Sequence, residues 1–187
     1  RYMYDKLPWQ ARFVGLMGPR GVGKSTLILQ HLKEMDADTQ AKSLYISADH
    51  SYFTTHTLID TADQFVREGG ETLYIDEVHK YDAWSRELKQ IYDSHPELKI
   101  FFTGSSMLDI LEGEADLSRR VILYEMQGMS FREYLEMFEG IKTPVRSLDD
   151  ILMGKIEIKE VLHPIPLFNK YLKEGYYPFS KEGFFQQ

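Results

Sequence analysis

Apolar residues fall along this chain in two alternating patterns. Short continuous runs predict five strands: Phe13-Val14-Gly15-Leu16-Met17, Lys42 to Ser47, Thr72 to Ile75, Ile100 to Thr103 and Val121 to Met126. Between them the spacing changes to three and four residues. Ile28, Leu32 and Met35 share one face of a helix over 25–35, and Leu58, Ile59, Ala62, Phe65 and Val66 mark a second. Trp84, Leu88, Ile91 and Tyr92 mark a third, and Leu108 and Leu111 a short one after the fourth strand. Gly69-Gly70 and Pro96 punctuate the series. Strands alternating with helices of this length form a parallel sheet with both faces covered, so the expected fold class is α/β, a three-layer sandwich around five parallel strands.

After the fifth strand, Ser130 and Glu133 form a capping-box pattern ahead of Phe131, Tyr134, Leu135 and Phe138. Beyond Gly140 the periodicity weakens. Pro144, Pro164, Pro166 and Pro178 are expected to interrupt short helical stretches such as Ser147 to Met153 and Leu167 to Leu172. Residues 1–140 therefore read as one domain, and residues 141–187 as a small helical extension or the entry into a further region. The aromatic end, Gly175-Tyr176-Tyr177-Pro178-Phe179, either packs back on the same chain or lacks its partner.

Charge and composition narrow the function classes. The 187 residues carry 22 Lys and Arg against 29 Asp and Glu, a net charge of -7, which argues against a surface built mainly to neutralise nucleic-acid phosphates. There is no cysteine, so disulfides, thiolate metal sites and thiol catalysis are excluded and a reducing cytoplasm is the expected location. No apolar span is long enough for a bilayer, and the start, Arg1-Tyr2-Met3-Tyr4-Asp5, has neither a signal-peptide layout nor an initiator Met, as expected for an excised piece. The histidines show no metal-binding spacing.

The chemistry concentrates at Gly18-Pro19-Arg20-Gly21-Val22-Gly23-Lys24-Ser25-Thr26, which fits the phosphate-binding pattern G-x-x-x-x-G-K-[ST] between a strand and a helix. Glycines there let successive backbone N–H groups turn inward around a phosphate, and the following helix adds its positive N-terminal dipole. Lys24 is expected to reach the β- and γ-phosphates and Ser25 to coordinate Mg²⁺. The bland alternative is a Gly-rich turn that holds no nucleotide. Arg20, at an unspecified position of the loop, is expected to face solvent.

Asp76 and Glu77 follow an apolar strand expected to lie beside the phosphate-loop strand, which delivers their carboxylates to the sheet edge where ligands bind. Phosphoryl transfer to water needs one carboxylate for the metal's hydration sphere and another group for the attacking water. Asp76 is assigned to the metal and Glu77 to the water; the alternative is two solvated acids. Thr103, Ser105 and Ser106 offer hydroxyls at the fourth strand's end, with Ser105 the choice for contact near the γ-phosphate, unless it is only a turn residue. Arg119 and Arg120 precede the fifth strand, either as a group that reaches a neighbouring subunit's site or as a solvated pair. His79 is the one histidine expected near the nucleotide.

With the phosphate loop, Leu73 to Glu77, Thr103 to Ser106 and Ser130-Phe131-Arg132-Glu133-Tyr134-Leu135 in this order, the chain resembles the AAA-superfamily P-loop ATPases. More narrowly, it is similar to a bacterial and archaeal family whose AAA module precedes a nuclease-like C-terminal domain of unknown function. The resemblance implies that Lys24 and Ser25 hold the Walker A positions, Asp76 and Glu77 the Walker B pair, and Ser105 the sensor on the fourth strand. It aligns Arg120 with the family's arginine, although this chain has Ser118-Arg119-Arg120 where Gly-Arg is usual, and it leaves a second-sensor arginine unassigned. ATP is expected over GTP because Asn169-Lys170 is followed by Tyr171-Leu172, without the base-reading Asp. The expected function is Mg-dependent ATP hydrolysis in an assembly completed by an arginine finger, with nucleotide state controlling that assembly or an attached effector. A nucleotide switch with little turnover and a nucleic-acid-associated motor or loader are the alternatives.

Overall fold

The structure, a computed structural model, describes residues 1–105, 117, 119–154, 161 and 163–182. Five strands, β1 (Phe13–Met17), β2 (Ser43–Ser47), β3 (Thr72–Asp76), β4 (Lys99–Gly104) and β5 (Ile122–Glu125), form one parallel sheet in the order β2-β3-β4-β1-β5. Every residue of β1 and β3 is buried, as the unbroken apolar runs require of strands covered on both faces. Five helices accompany them up to the fourth strand: α1 (Tyr2–Lys6), α2 (Lys24–Glu34), α3 (Ala37–Ala41), α4 (Leu58–Arg67) and α5 (Trp84–Ser94). The short helix expected around Leu108 and Leu111 lies outside the described residues.

One expectation is corrected here. β3, which carries Asp76, does not lie beside β1; β4 stands between them, pairing Ile100 with Phe13 on one side and with Leu73 on the other. The strand has apolar side chains on both faces, so it suits the middle of the sheet. Ile100 and Phe102 join Phe13, Met17, Leu73 and Ile75 in a core closed by Leu58 and Ala62 of α4 and by Leu88 and Ile91 of α5. On the opposite face Phe101 stacks on Tyr74 at 5.3 Å and on Trp9 at 5.5 Å, and Trp9 stacks on His31 of α2 at 3.7 Å. Gly15, in the middle of β1, has no room for a side chain, since a Cβ there would meet Leu123 at 2.7 Å and Phe102 at 2.8 Å.

The chain divides into two compact units, Met3–Gln127 and Arg1–Tyr2 with Gly128–Gln187. In the second unit, α6 (Phe131–Glu139) begins at the expected capping box, with Ser130 and Glu133 each capping the other's backbone, and ends at Gly140 with φ 68°. Then come α7 (Leu148–Leu152) and α8 (Pro164–Glu174). Pro164 and Pro166 were expected to break helical structure, yet both belong to α8. They fall in its first turn, where backbone N–H groups have no intrahelical acceptor and the missing donor costs nothing. The aromatic end packs back within this unit: the Tyr176 carbonyl accepts from Met129 N at 2.6 Å, and a Cβ on Gly128 would fall 1.5 Å from the Tyr176 ring. No described helix is long and apolar enough to cross a membrane.

Candidate functional site

β1 runs directly into the glycine-rich loop. Gly18, Gly21 and Gly23 take φ values of 147°, 84° and 97°, which side-chain-bearing residues rarely adopt. Gly18 also lies against β5's extension: a Cβ would sit 2.3 Å from the Met126 carbonyl oxygen, and Met126 N donates to Met17 O at 2.7 Å. Gly23 is the N-cap of α2 and has no side chain to cap it, so that helix begins without a side-chain cap hydrogen bond. Val22 is buried, whereas Pro19, Arg20, Gly21 and Thr26 are exposed and Ser25 is half-buried.

Lys24 is buried, with 4% of its surface exposed, and folds back on the loop, its Nζ donating to Gly18 O at 2.8 Å and to Pro19 O at 3.1 Å. Desolvation lowers its pKa below the ordinary lysine value, and the nearby charges of Glu77 and Asp76 partly oppose that. A buried ammonium satisfied by two carbonyls is well placed for an anion that would bring stronger acceptors.

Asp76 ends β3 and is buried. The intervening strand β4 reaches it through Thr103, whose hydroxyl donates to Asp76 Oδ1 and accepts from the Glu77 backbone N–H at 3.0 Å. From the other side, Tyr45 of β2 donates its hydroxyl to Asp76 Oδ2 at 2.7 Å. Burial, then Asp76, pushes the Tyr45 phenol above its ordinary value, so it stands as a neutral donor. A single hydrogen-bonded chain thus runs from Tyr45 through Asp76 and Thr103 to Glu77 N. Glu77 itself adopts φ 55° and ψ 42°, and it alone combines a side chain with positive φ among the described residues. Its Oε2 lies 3.4 Å from His79 Nε2.

Ser105 follows β4 directly and is half-buried; it is Thr103, two residues earlier, that bonds to the acids. Arg120 pairs with Asp93 of α5 through Nε at 3.0 Å and a terminal nitrogen at 3.2 Å, while Arg119 is exposed. Tyr45 is the residue that sequence reasoning missed. Its signal was parity: alternation along β2 turns Leu44 and Ile46 to the core, leaving Tyr45 on the face that carries Asp76. A separate cavity of about 440 Å³ beside β2, between Tyr52, Phe53 and Thr61, shares Tyr45 with this constellation.

The donor set suits a magnesium-bound nucleotide: hard oxygen donors in Ser25 and Asp76, a buried ammonium, and a helix N-terminus without a side-chain cap. Residues 10–135 match the AAA domain family. The chain belongs to that family. It is 31% identical over 183 residues to the uncharacterized protein MJ1637 of Methanocaldococcus jannaschii, covering 89% of this chain and 38% of that protein. The AAA chain therefore spans less than half the length of this curated relative. Among solved structures, it is similar in fold to the Aeropyrum pernix Orc1 protein in complex with DNA, with a TM-score of 0.54 and 13% identity over 70% of this chain and 43% of that one. It is also similar to the Saccharomyces cerevisiae Hsp104–ADP complex, with a TM-score of 0.51 and 19% identity over 91% and 27% of the two chains.

Proposed function

We propose that this AAA domain binds Mg·ATP and hydrolyses it, and that the nucleotide state controls its assembly or an attached effector. The observation that carries this reading is the buried Lys24 ammonium on the loop carbonyls, with Asp76 and Glu77 contributing opposing charge beside it. Ser25 and Asp76 hold the metal, which when bound supplies charge neutralisation for the phosphates. Lys24 exchanges its carbonyl partners for phosphate oxygens. Glu77 orients the attacking water and accepts its proton, and Ser105 contributes a hydroxyl near the γ-phosphate. Arg120 of a neighbouring copy completes the site, so activity depends on self-association. The family resemblance supports a cytoplasmic ATPase whose effector, a nuclease-like domain in that family, lies beyond these residues.

The test is ATP hydrolysis with Mg²⁺ over a range of protein concentrations, for wild type, Lys24→Ala, Glu77→Gln and Arg120→Ala. Specific activity that rises with concentration and falls in all three variants supports the proposal. Nucleotide binding without turnover at every concentration replaces it with a switch, and salt-dependent DNA binding would bring back the motor or loader.

A further inference from the structure

Glu77 is approached from two parts of the chain. Its backbone N–H donates to the Thr103 hydroxyl at 3.0 Å, and its Oε2 lies 3.4 Å from His79 Nε2. The left-handed conformation of Glu77 leads into a short helical turn, Val78–Lys80, in which Lys80 N donates to Glu77 O at 2.9 Å and Tyr81 N to Val78 O at 3.0 Å. That turn folds the chain back on itself, which brings the imidazole alongside the carboxylate. Its flanks are anchored: Val78 is buried in the core, and the Tyr81 hydroxyl donates to Glu87 Oε1 at 2.9 Å. The turn that carries the ring is therefore fixed on either side of His79. The other ring nitrogen, Nδ1, is buried and bonds to no described group. A buried polar atom left in that state calls for a reason beyond packing.

We propose that His79 is a positioning residue whose Nε2–H holds the Glu77 carboxylate in the orientation that meets the attacking water. This rests on the hydrolysis reading above. A carboxylate only accepts, so the contact needs the ring proton on Nε2, and Nδ1 then keeps a bare lone pair instead of a stranded N–H. Only 21% and 28% of the two side chains are exposed, so water screens the contact less than it would at an open surface. A glutamate side chain turns about several bonds, and a fixed partner removes that freedom before the reaction rather than during it. Losing the partner should therefore slow the chemical step. Nucleotide and metal affinity should stay, since Lys24, Ser25 and Asp76 supply those contacts.

The experiment is steady-state Mg·ATP hydrolysis by the 187-residue chain, at the protein concentration of highest wild-type specific activity, for wild type, His79→Leu, His79→Gln and His79→Asn, with a thermal melt of each. His79→Leu is expected to lower kcat about tenfold or more with KM within about twofold of wild type. His79→Gln, whose amide N–H₂ stands near the place of Nε2, should recover most of that loss, whereas the shorter His79→Asn should not. An unchanged kcat in His79→Leu overturns the proposal, as does a raised KM at constant kcat, which would place the ring on the nucleotide instead. If His79→Leu does not fold, the two amides decide, and equal kcat in His79→Gln and His79→Asn overturns it. Ring ¹H–¹⁵N correlation spectra at mildly alkaline pH, with His79 assigned by its loss in His79→Gln, should show the proton on Nε2; a proton on Nδ1 overturns the contact whatever the turnover. Wild type without turnover would sink the hydrolysis reading and this role with it, a result distinct from wild-type turnover that every His79 variant shares.

Discussion

Arg120 forks onto Asp93: Nε and a terminal nitrogen reach the two carboxylate oxygens at 3.0 and 3.2 Å, from the segment before β5 to the helix α5. The pair is partly open to solvent, with about a quarter of the Arg120 side chain and nearly half of Asp93 exposed. A pair in that setting is worth about 1 kcal/mol or less. If Arg120 serves a neighbouring site, its removal separates function from stability. Arg120→Ala should lower turnover by at least about 10²-fold while the melting temperature falls by only a few degrees. Loss of turnover matched by unfolding would refute the assignment.

At Gly18 sterics and backbone conformation act together. With φ 147° and the Met126 carbonyl 2.3 Å from where a Cβ would stand, Gly18→Ala must shift the loop or β5's extension. The neighbour is backbone and cannot rotate away. We expect about 1–3 kcal/mol of destabilisation and loss of nucleotide binding, read by thermal melting with and without Mg·ATP. A variant with normal binding would show that the loop is looser than this packing implies.

Glu87 is a buried carboxylate that caps a helix it does not belong to. Projecting from α5, its Oε2 accepts from the first N–H of α4 at Leu58, 2.9 Å away, and its Oε1 accepts from the Tyr81 hydroxyl at 2.9 Å. The Tyr81 phenol is pushed up to about 12, by burial first and by Glu87 next. Glu87→Ala leaves those donors without an acceptor and should cost about 1–3 kcal/mol in denaturant unfolding. Glu87→Gln, retaining one acceptor, should cost less; the reverse order would contradict the capping role.

His31, between Trp9 and Tyr4, gives a pH dependence of definite sign. Burial lowers its pKa below the ordinary 6.5, with Glu34 opposing. The folded chain then binds fewer protons than the unfolded one just below that value, so stability falls as pH drops through about 6.5. The loss ends once the folded-state pKa is passed. Between pH 7.5 and 5.5 the melting temperature of wild type should fall more than that of His31→Gln. Equal falls would mean that the ring is protonated in the fold as readily as in the unfolded chain.

The sequence made the strands legible because each is a short apolar run: β1 matches its expected bounds from Phe13 to Met17, and the others shift by one residue at one or both ends. The loop was legible because its glycines and lysine recur at the fixed spacing of a phosphate-binding loop. Strand order was not, since a run such as Ile100 to Phe102 looks equally buried beside β1 or between β1 and β3. That is why Tyr45 and Thr103 went unassigned as partners of Asp76: their contact depends on which strands are neighbours. α8 was underestimated because proline is a breaker in a helix interior and an ordinary first-turn residue, a distinction that needs the helix start to be known.

Glu77 is held in a left-handed conformation that glycine and asparagine enter more readily, at a cost of roughly 1 kcal/mol. Either substitute would relax the backbone, and neither would leave a carboxylate beside His79. On the role proposed for Glu77, the position is a point of conflict between folding and turnover: a search for thermostable variants would drift toward Glu77→Gly or Glu77→Asn and return a sturdier protein with an idle site. Selection for stability alone should be blind to the residue proposed to orient the attacking water.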